Sequence, residues 1–272
     1  MTRPRELTHP KHIPAFALVA GFCLLLLYLP VIVIMAYSFN NAASLGASFT
    51  GASLRWYRQV LHDPLFYSST WNSLVIATSA TAIATVLATM AALGTTRRRP
   101  WRGQNTAYVA IVTPLLTPEI VMAVALLACF SALSRWTGIQ FGLFKLVLAH
   151  AGFCIPFAYL PLRGRLERMD LSMEHAAADL YARPWRVFRY VTFPQLVPGI
   201  ASGAALSFIV SFDDFTISQF LAGPGEMTLP MYIWSTIRRA LDPSLNAMCT
   251  VILVVSVVLI ATSFVLSSKS EK

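Results

Sequence analysis

The chain has 272 residues, is 56% hydrophobic but only 12% charged, and carries a net charge of +9. A soluble domain holds about 25% charged residues, so the apolar excess must face lipid or other membrane helices. A nucleic-acid role for the basic balance is excluded by where the charges sit, and Cys23, Cys129, Cys154 and Cys249 lie in apolar stretches with no CxxC spacing, which removes a disulfide framework or zinc site.

A transmembrane helix needs about 20 mostly apolar residues, and six stretches qualify. The first covers 13–39, and no Asp, Glu, Lys or Arg follows it before Arg55. It exceeds the 7–15 apolar residues usual in a cleaved signal peptide, so it reads as a retained anchor. The second covers 71–94, with Ala80, Ala84, Ala88 and Ala92 at every fourth position. The third, 106–133, is interrupted by Glu119, and the fourth, 139–162, has Lys145 near one end. The fifth, 196–221, carries Gly199 and Gly203 and is interrupted by Asp213 and Asp214; the sixth covers 247–267. Small residues four apart let helix backbones approach closely. The expectation is an all-α integral membrane bundle, a single transmembrane domain over 1–272 without internal repeat.

Six spans place both termini on one side, and the positive-inside rule selects it. With both ends cytoplasmic, fifteen Lys and Arg lie inside and five outside, and Lys145 reaches toward the outer interface. This asymmetry accounts for the basic balance without nucleic acid.

The longest cytoplasmic segment, 163–195, is patterned. Ser172 followed by Met173, Glu174 and His175 reads as a helix start, with Ser172 as N-cap and an acid in the first turn. Ala176, Ala177 and Leu180 share one face. Pro184 suits the first turn of a second short helix, with Val187, Phe188 and Val191 as its apolar stripe. Pro194 is expected to close the unit before the fifth span.

This segment resembles the Glu-Ala-Ala loop of binding-protein-dependent ABC importer permeases. The matching positions are Ala176, Ala177, Leu180, Ala182, Phe188, Pro194, Pro198, Gly199 and Ile200. The resemblance implies a type I importer permease fold with a cytoplasmic coupling helix that docks on an ATP-hydrolysing subunit. Two positions depart from the pattern. The usual Glu is His175, although Glu174 precedes it, and the usual Gly is Tyr181. A left-handed residue there costs a bulky side chain about 1 kcal/mol or more. No GxxxxGK[ST] phosphate loop occurs, so ATP and Mg²⁺ are expected on a partner and no cofactor in this chain, which is not expected to be an enzyme.

Glu119, Asp213 and Asp214 are the informative charges. A carboxylate at membrane depth costs about 2.5–3.5 kcal/mol on insertion scales, so such residues face a bundle interior or a water-filled path. Adjacent helical residues point about 100° apart, so one aspartate is expected on the path and the other against a neighbour. Spaced acids with aromatic walls suit linear amines, and Phe212, Phe215, Trp71 and Tyr159 are candidate walls. The competing reading pairs these acids with cations that hold the bundle together.

The stretch from Leu206 to Pro230 resembles spermidine/putrescine permeases, above all in Ser211-Phe212-Asp213-Asp214-Phe215-Thr216-Ile217-Ser218, Gly223-Pro224-Gly225 and Thr228-Leu229-Pro230. So do Thr117-Pro118-Glu119-Ile120-Val121, Leu54-Arg55-Trp56-Tyr57 and Trp71-Asn72-Ser73-Leu74. The similarity runs from about residue 15 and is strongest to the second permease of putrescine-type systems. It implies a bacterial inner-membrane permease working by alternating access with a second homologous permease, two ATP-binding subunits and a periplasmic substrate-binding protein. Alternatives are a permease of this class for another small solute, and an ion-coupled secondary transporter using Glu119 or Asp213 as proton carrier. An intramembrane aspartyl protease would need aspartates on separate spans and a Gly-x-Gly-Asp signature, which is absent. The five histidines show no metal spacing, and only His150 lies near a span.

Overall fold

The computed structural model describes residues 14–42, 44, 48–97, 101–239, 243–255 and 257. Among them the chain forms helices and one isolated bridge, between Asn40 and Ala52. The helices are α1 (Pro14–Tyr37), α2 (Arg55–Leu61), α3 (Pro64–Thr96), α4 (Gln104–Leu116), α5 (Glu119–Thr137), α6 (Leu143–Arg168) and α7 (Ser172–Asp179). They continue with α8 (Pro184–Asp213), α9 (Thr216–Leu221), α10 (Leu229–Arg239) and α11 (Ser244–Val255). Among the described residues five helical stretches are long and apolar enough to cross a membrane: Ala17–Tyr37, Pro64–Thr96, Glu119–Thr137, Leu143–Arg168 and Pro184–Asp213. α11 is apolar but shorter, and the rest of the sixth span expected at 247–267, apart from residue 257, lies outside the described residues.

The described residues fall into two compact units, one up to Pro64 and from Ile233 onward, the other Leu65–Tyr232. In the first, Asn40 organises the segment after α1. Its Oδ1 accepts from the Thr50 amide at 2.9 Å, and its carbonyl accepts from Trp56 Nε1 at 2.8 Å. α1 itself is apolar on every side, and its described side chains are exposed apart from half-buried Val31, Met35 and Tyr37.

The second unit holds two cores. One joins Ala88 and Ala92 of α3 to Ala158, Tyr159, Leu162 and Leu166 of α6 and Leu196 of α8. The other joins Ile76, Ala123, Leu146, Val147, Ala149, Ile217 and Leu221, from α3, α5, α6 and α9. The alanine stripe Ala80, Ala84, Ala88 and Ala92 is wholly buried. On α8 the small residues Gly199, Gly203, Ser207 and Ser211 recur every fourth position and are all buried. Lipid offers no hydrophobic drive for helix association, so close packing of small residues supplies it. At Gly203 a Cβ would sit 2.8 Å from the Ala158 carbonyl oxygen, so only glycine permits this separation of α6 and α8.

Three expectations change. The third span, expected as one helix over 106–133, is two, because Pro118 has no amide to give and disfavours a helical Thr117; Thr117 is extended at φ −84°, ψ 132°. The fifth span breaks at Asp214, where φ is −65° and ψ 124°. It also begins earlier, at Pro184, so Pro194 does not close the preceding loop. A π-helical turn over Phe188–Thr192 comes first and Pro194 falls in the first turn of the α-helical segment beyond it. Its missing amide therefore lies beside a register shift that already interrupts the ladder.

Candidate functional site

Two helix breaks meet inside the second unit. One is Thr117–Pro118, after which α5 opens on Glu119. The other is Asp214–Phe215, between α8 and α9. The Glu119 carboxyl faces Asp214 and Thr216. Within a membrane, irregular backbone is tolerated where protein covers it or where it lines a water-filled path. Asp214 supplies part of that cover. Its Oδ1 accepts from the Ile217 amide at 3.2 Å and its Oδ2 from the Ser218 amide at 2.9 Å, which satisfies the first free amides of α9.

His150 of α6 completes the arrangement. Its ring is 1% exposed, with Nε2 3.3 Å from Asp214 Oδ2 and 3.2 Å from Ser218 Oγ. Nδ1 lies 2.8 Å from Ser211 Oγ. The two ring nitrogens thus face two serine hydroxyls and one oxygen of Asp214. Below it, Ser207 Oγ donates to the Cys154 carbonyl at 3.2 Å. Sequence reasoning assigns His150 no role, because its partners lie 61 and 68 residues away.

The expected path residues separate. Asp214 is 5% exposed and bonded within the chain, whereas Asp213 is exposed and Glu119 half-buried. Phe212 and Phe215 flank the break and are half-buried, and Phe212 stacks on Phe208 at 5.7 Å. Trp71 stands on α3 with 67% of its surface exposed. Tyr159 does not serve as a wall. It is fully buried in the α3–α6–α8 core, with its hydroxyl 2.9 Å from Thr95 Oγ1, because its place on α6 turns it toward the alanine stripe.

At the opposite end of α6, the cap of α7 differs from expectation. Asp170, not Ser172, does the capping: its Oδ1 accepts from the Ser172 amide at 2.9 Å and its Oδ2 from the Ser172 hydroxyl at 2.6 Å. Those two bonds, the hydroxyl's first, hold the Asp170 carboxyl below the ordinary carboxylate range. Glu174 forms an ion pair with Arg97 at 3.2 Å, tying α7 to the end of α3. His175 and Ala176 lie in the helix, and Leu180 is 82% exposed beyond it. Tyr181 has φ +55°. Its amide donates to the Ala178 carbonyl at 2.9 Å, and the Ala182 amide reaches back to Ala177 at 3.1 Å. This pair of bonds is a Schellman termination, so the turn that glycine usually serves is made with tyrosine. Phe188 is half-buried on the stripe that starts α8, and Pro194 is exposed.

The connection between α9 and α10 is held from α3. Asn72 Nδ2 donates to the carbonyls of Gly225 and Met227 at 3.1 and 3.0 Å, and Ser73 Oγ accepts from the Leu229 amide at 2.8 Å. Lys145 Nζ does not end free at an interface; it pairs with Glu226 Oε2 at 2.9 Å.

Residues 84–269 match the family described as "Binding-protein-dependent transport system inner membrane component". The chain is 38% identical over 238 residues to the putrescine transport system permease protein PotI of Escherichia coli K12, covering 87% of this chain and 84% of that one. It is 32% identical over 246 residues to the spermidine/putrescine transport system permease protein PotC of the same strain, covering 90% and 91%. Its fold matches a chain of a bacterial ABC transporter involved in the import of the acidic polysaccharide alginate, with a TM-score of 0.70, 18% identity and coverage of 93% and 94%. It also matches a chain of an amino acid ABC transporter, with a TM-score of 0.60, 17% identity and coverage of 80% and 99%. Those two transporters carry chemically unlike cargoes, so the shared fold speaks for the permease architecture and not for a substrate. From the match over residues 84–269 and from two relatives alike over most of their length, the chain belongs to the family of inner membrane components of binding-protein-dependent transport systems.

Proposed function

We propose that this chain is a permease subunit of an ATP-driven polyamine importer, working by alternating access in the bacterial inner membrane. The observation that carries the substrate class is the meeting of Glu119 with Asp214 at two helix breaks, in a chain 38% identical to a putrescine permease. Two carboxylates side by side in a water-poor setting repel each other, and an ammonium group between them relieves that repulsion. A carboxylate has about four acceptor positions. At Asp214 two amides take two of them, and His150 Nε2 sits 3.3 Å from one of the same oxygens. Glu119 and exposed Asp213 are therefore the acids that take up an ammonium, with Asp214 as a fixed charge behind them. Phe212 and Phe215 supply apolar and π surface for the methylene chain.

The same reading assigns α7 and its Schellman turn, with Glu174, His175, Ala176, Ala177, Leu180, Tyr181 and Ala182, to docking on an ATP-binding subunit; Phe188 and Pro194 pass the motion into α8. ATP and Mg²⁺ belong to two such subunits, and the assembly holds a second homologous permease and a periplasmic binding protein. Basic residues concentrated around α7 favour cytoplasmic termini.

The test is uptake of labelled putrescine and spermidine by the complete transporter in proteoliposomes. Uptake should require ATP inside and survive a protonophore. Asp213→Asn and Glu119→Gln should each raise KM about tenfold while the complex still assembles. Uptake driven by a proton gradient without ATP would favour the ion-coupled alternative, and ATP-driven transport of some other solute alone would retain the permease and remove the amine.

A further inference from the structure

We infer that His150 is a positioning residue of the cation path, acting through Asp214 and Glu119 rather than by touching the substrate. The inference rests on the acid-lined path proposed above. Three observations carry it. First, the imidazole bridges both sides of the α8–α9 break: Ser211 precedes the break and Ser218 follows it, and both hydroxyls meet the same ring. Second, the ring meets Asp214 at the oxygen that also caps Ser218, so ring, carboxylate and helix start are one unit. Third, the ring is shut away: its exposure is 1% and that of Asp214 5%, so neither group offers itself to cargo directly.

The physical consequence concerns freedom. A break in a membrane helix removes backbone hydrogen bonds on both sides and leaves φ and ψ to be fixed by other groups. Here α6 supplies the fixing group from a third helix, and α6 is itself tied to α8 by the glycine and serine stripe. Asp214 then holds one orientation against Glu119. Without the imidazole, Asp214 loses its close neighbour on α6 and the break loses the ring that meets both Ser211 and Ser218. The two carboxylates would drift apart or pair elsewhere, and the site would take up an ammonium less well. Among the described residues no other Asp, Glu, Lys, Arg or His lies in hydrogen-bond or ion-pair contact with this ring; Glu119 acts on it at longer range.

The test compares His150→Ala, His150→Gln and Ser211→Ala in the complete transporter, reading KM and maximal rate for ATP-dependent putrescine uptake separately. Two hydroxyl bonds lost from one ring, each contributing about 0.5–1.5 kcal/mol, support about a tenfold change. His150→Ala should therefore raise KM about tenfold with a smaller effect on maximal rate. His150→Gln, which keeps a donor and an acceptor, should recover part of the loss. Ser211→Ala, which removes one hydroxyl, should raise KM about threefold, and it keeps the inference open to test where His150→Ala does not assemble. A merely structural histidine would lower maximal rate and assembly together while leaving KM unchanged, and that result overturns the inference. Glu119→Gln and Asp213→Asn separate the two levels. If they raise KM while His150→Ala and Ser211→Ala do not, only the role of His150 fails. If none of the four changes KM, the acid-lined path itself fails.

Discussion

Lys145 Nζ lies 2.9 Å from Glu226 Oε2, and the Gly223 amide donates to that same oxygen at 2.6 Å. One carboxylate thus joins the start of α6 to the connection between α9 and α10. Asn72 and Ser73 hold the far side of that connection, so it is fixed from two helices.

The pair is mostly buried, with side-chain exposures of 21% and 12%. Removing one member leaves the other short of a partner, which costs more than a surface pair but less than a wholly buried one. Lys145→Met should therefore destabilise by about 1–2 kcal/mol, a fall of a few degrees in thermal midpoint. Thermal scanning of the purified permease complex reads this, and an unchanged midpoint would mean the pair contributes nothing net.

Gly203 supplies a test with internal controls. A Cβ at Gly203 would meet Ala158 backbone at 2.8 Å, while at Gly94 or Gly152 it would meet nothing within 4 Å. Backbone does not swing aside as a side chain does, so Gly203→Ala must push α8 from α6 and should cost about 1–3 kcal/mol. Gly152→Ala, in a helix interior with open space, should be neutral or stabilising by up to about 1 kcal/mol. Equal effects of the two in the same thermal assay would refute close α6–α8 packing as the reason for glycine.

Tyr181 stands at φ +55° with 97% of its surface exposed, so no contact within the chain offsets its backbone cost. A left-handed conformation costs a residue with a Cβ roughly 1–2 kcal/mol. Tyr181→Gly should then raise the stability of the isolated permease by up to about 1 kcal/mol, while Tyr181→Val should lower it. Local hydrogen exchange at α7 reads both, and a less protected helix in Tyr181→Gly would sink this account.

How much of this was legible depended on the range of the signal. At Tyr181 the missing glycine suggested a reshaped turn, yet the left-handed Schellman ending is kept, with tyrosine bearing the backbone cost. The break at Pro118 was also local, since proline acts on the residue before it, yet hydropathy alone merged α4 with α5. Asp213 is exposed and Asp214 buried, but the expected difference in facing assumed a helix running through both, whereas the helix ends at Asp213 and Asp214 is extended. The continuity of Pro184–Asp213 through a π-turn was not readable, because a π-turn shifts the period that apolar spacing relies on. Tyr159 misled because depth in the membrane can be counted along a helix, whereas facing depends on which neighbour lies where. His150 was silent for a similar reason: two serines and an aspartate become its partners only after three helices are packed.

Arg97 and Glu174 give the last prediction, which concerns coupling. Their ion pair, at 3.2 Å with exposures of 16% and 20%, links the end of α3 to α7. An acid in the first turn of α7 is also favoured by the helix dipole, so Glu174 has two reasons to be acidic and Arg97 has one to be basic. Glu174→Arg should weaken coupling of ATP hydrolysis to uptake, because it sets like charges together and reverses the dipole contact. Arg97→Glu should act through the pair alone and have a smaller effect. The double exchange restores opposite charges but leaves the dipole contact reversed, so recovery should be partial, with a coupling energy of about 1 kcal/mol in a double-mutant cycle. The ratio of transported amine to hydrolysed ATP is the quantity to measure. Strictly additive effects of the two reversals would show that the pair is incidental, and that α7 is held by its cap and by α8 without help from α3.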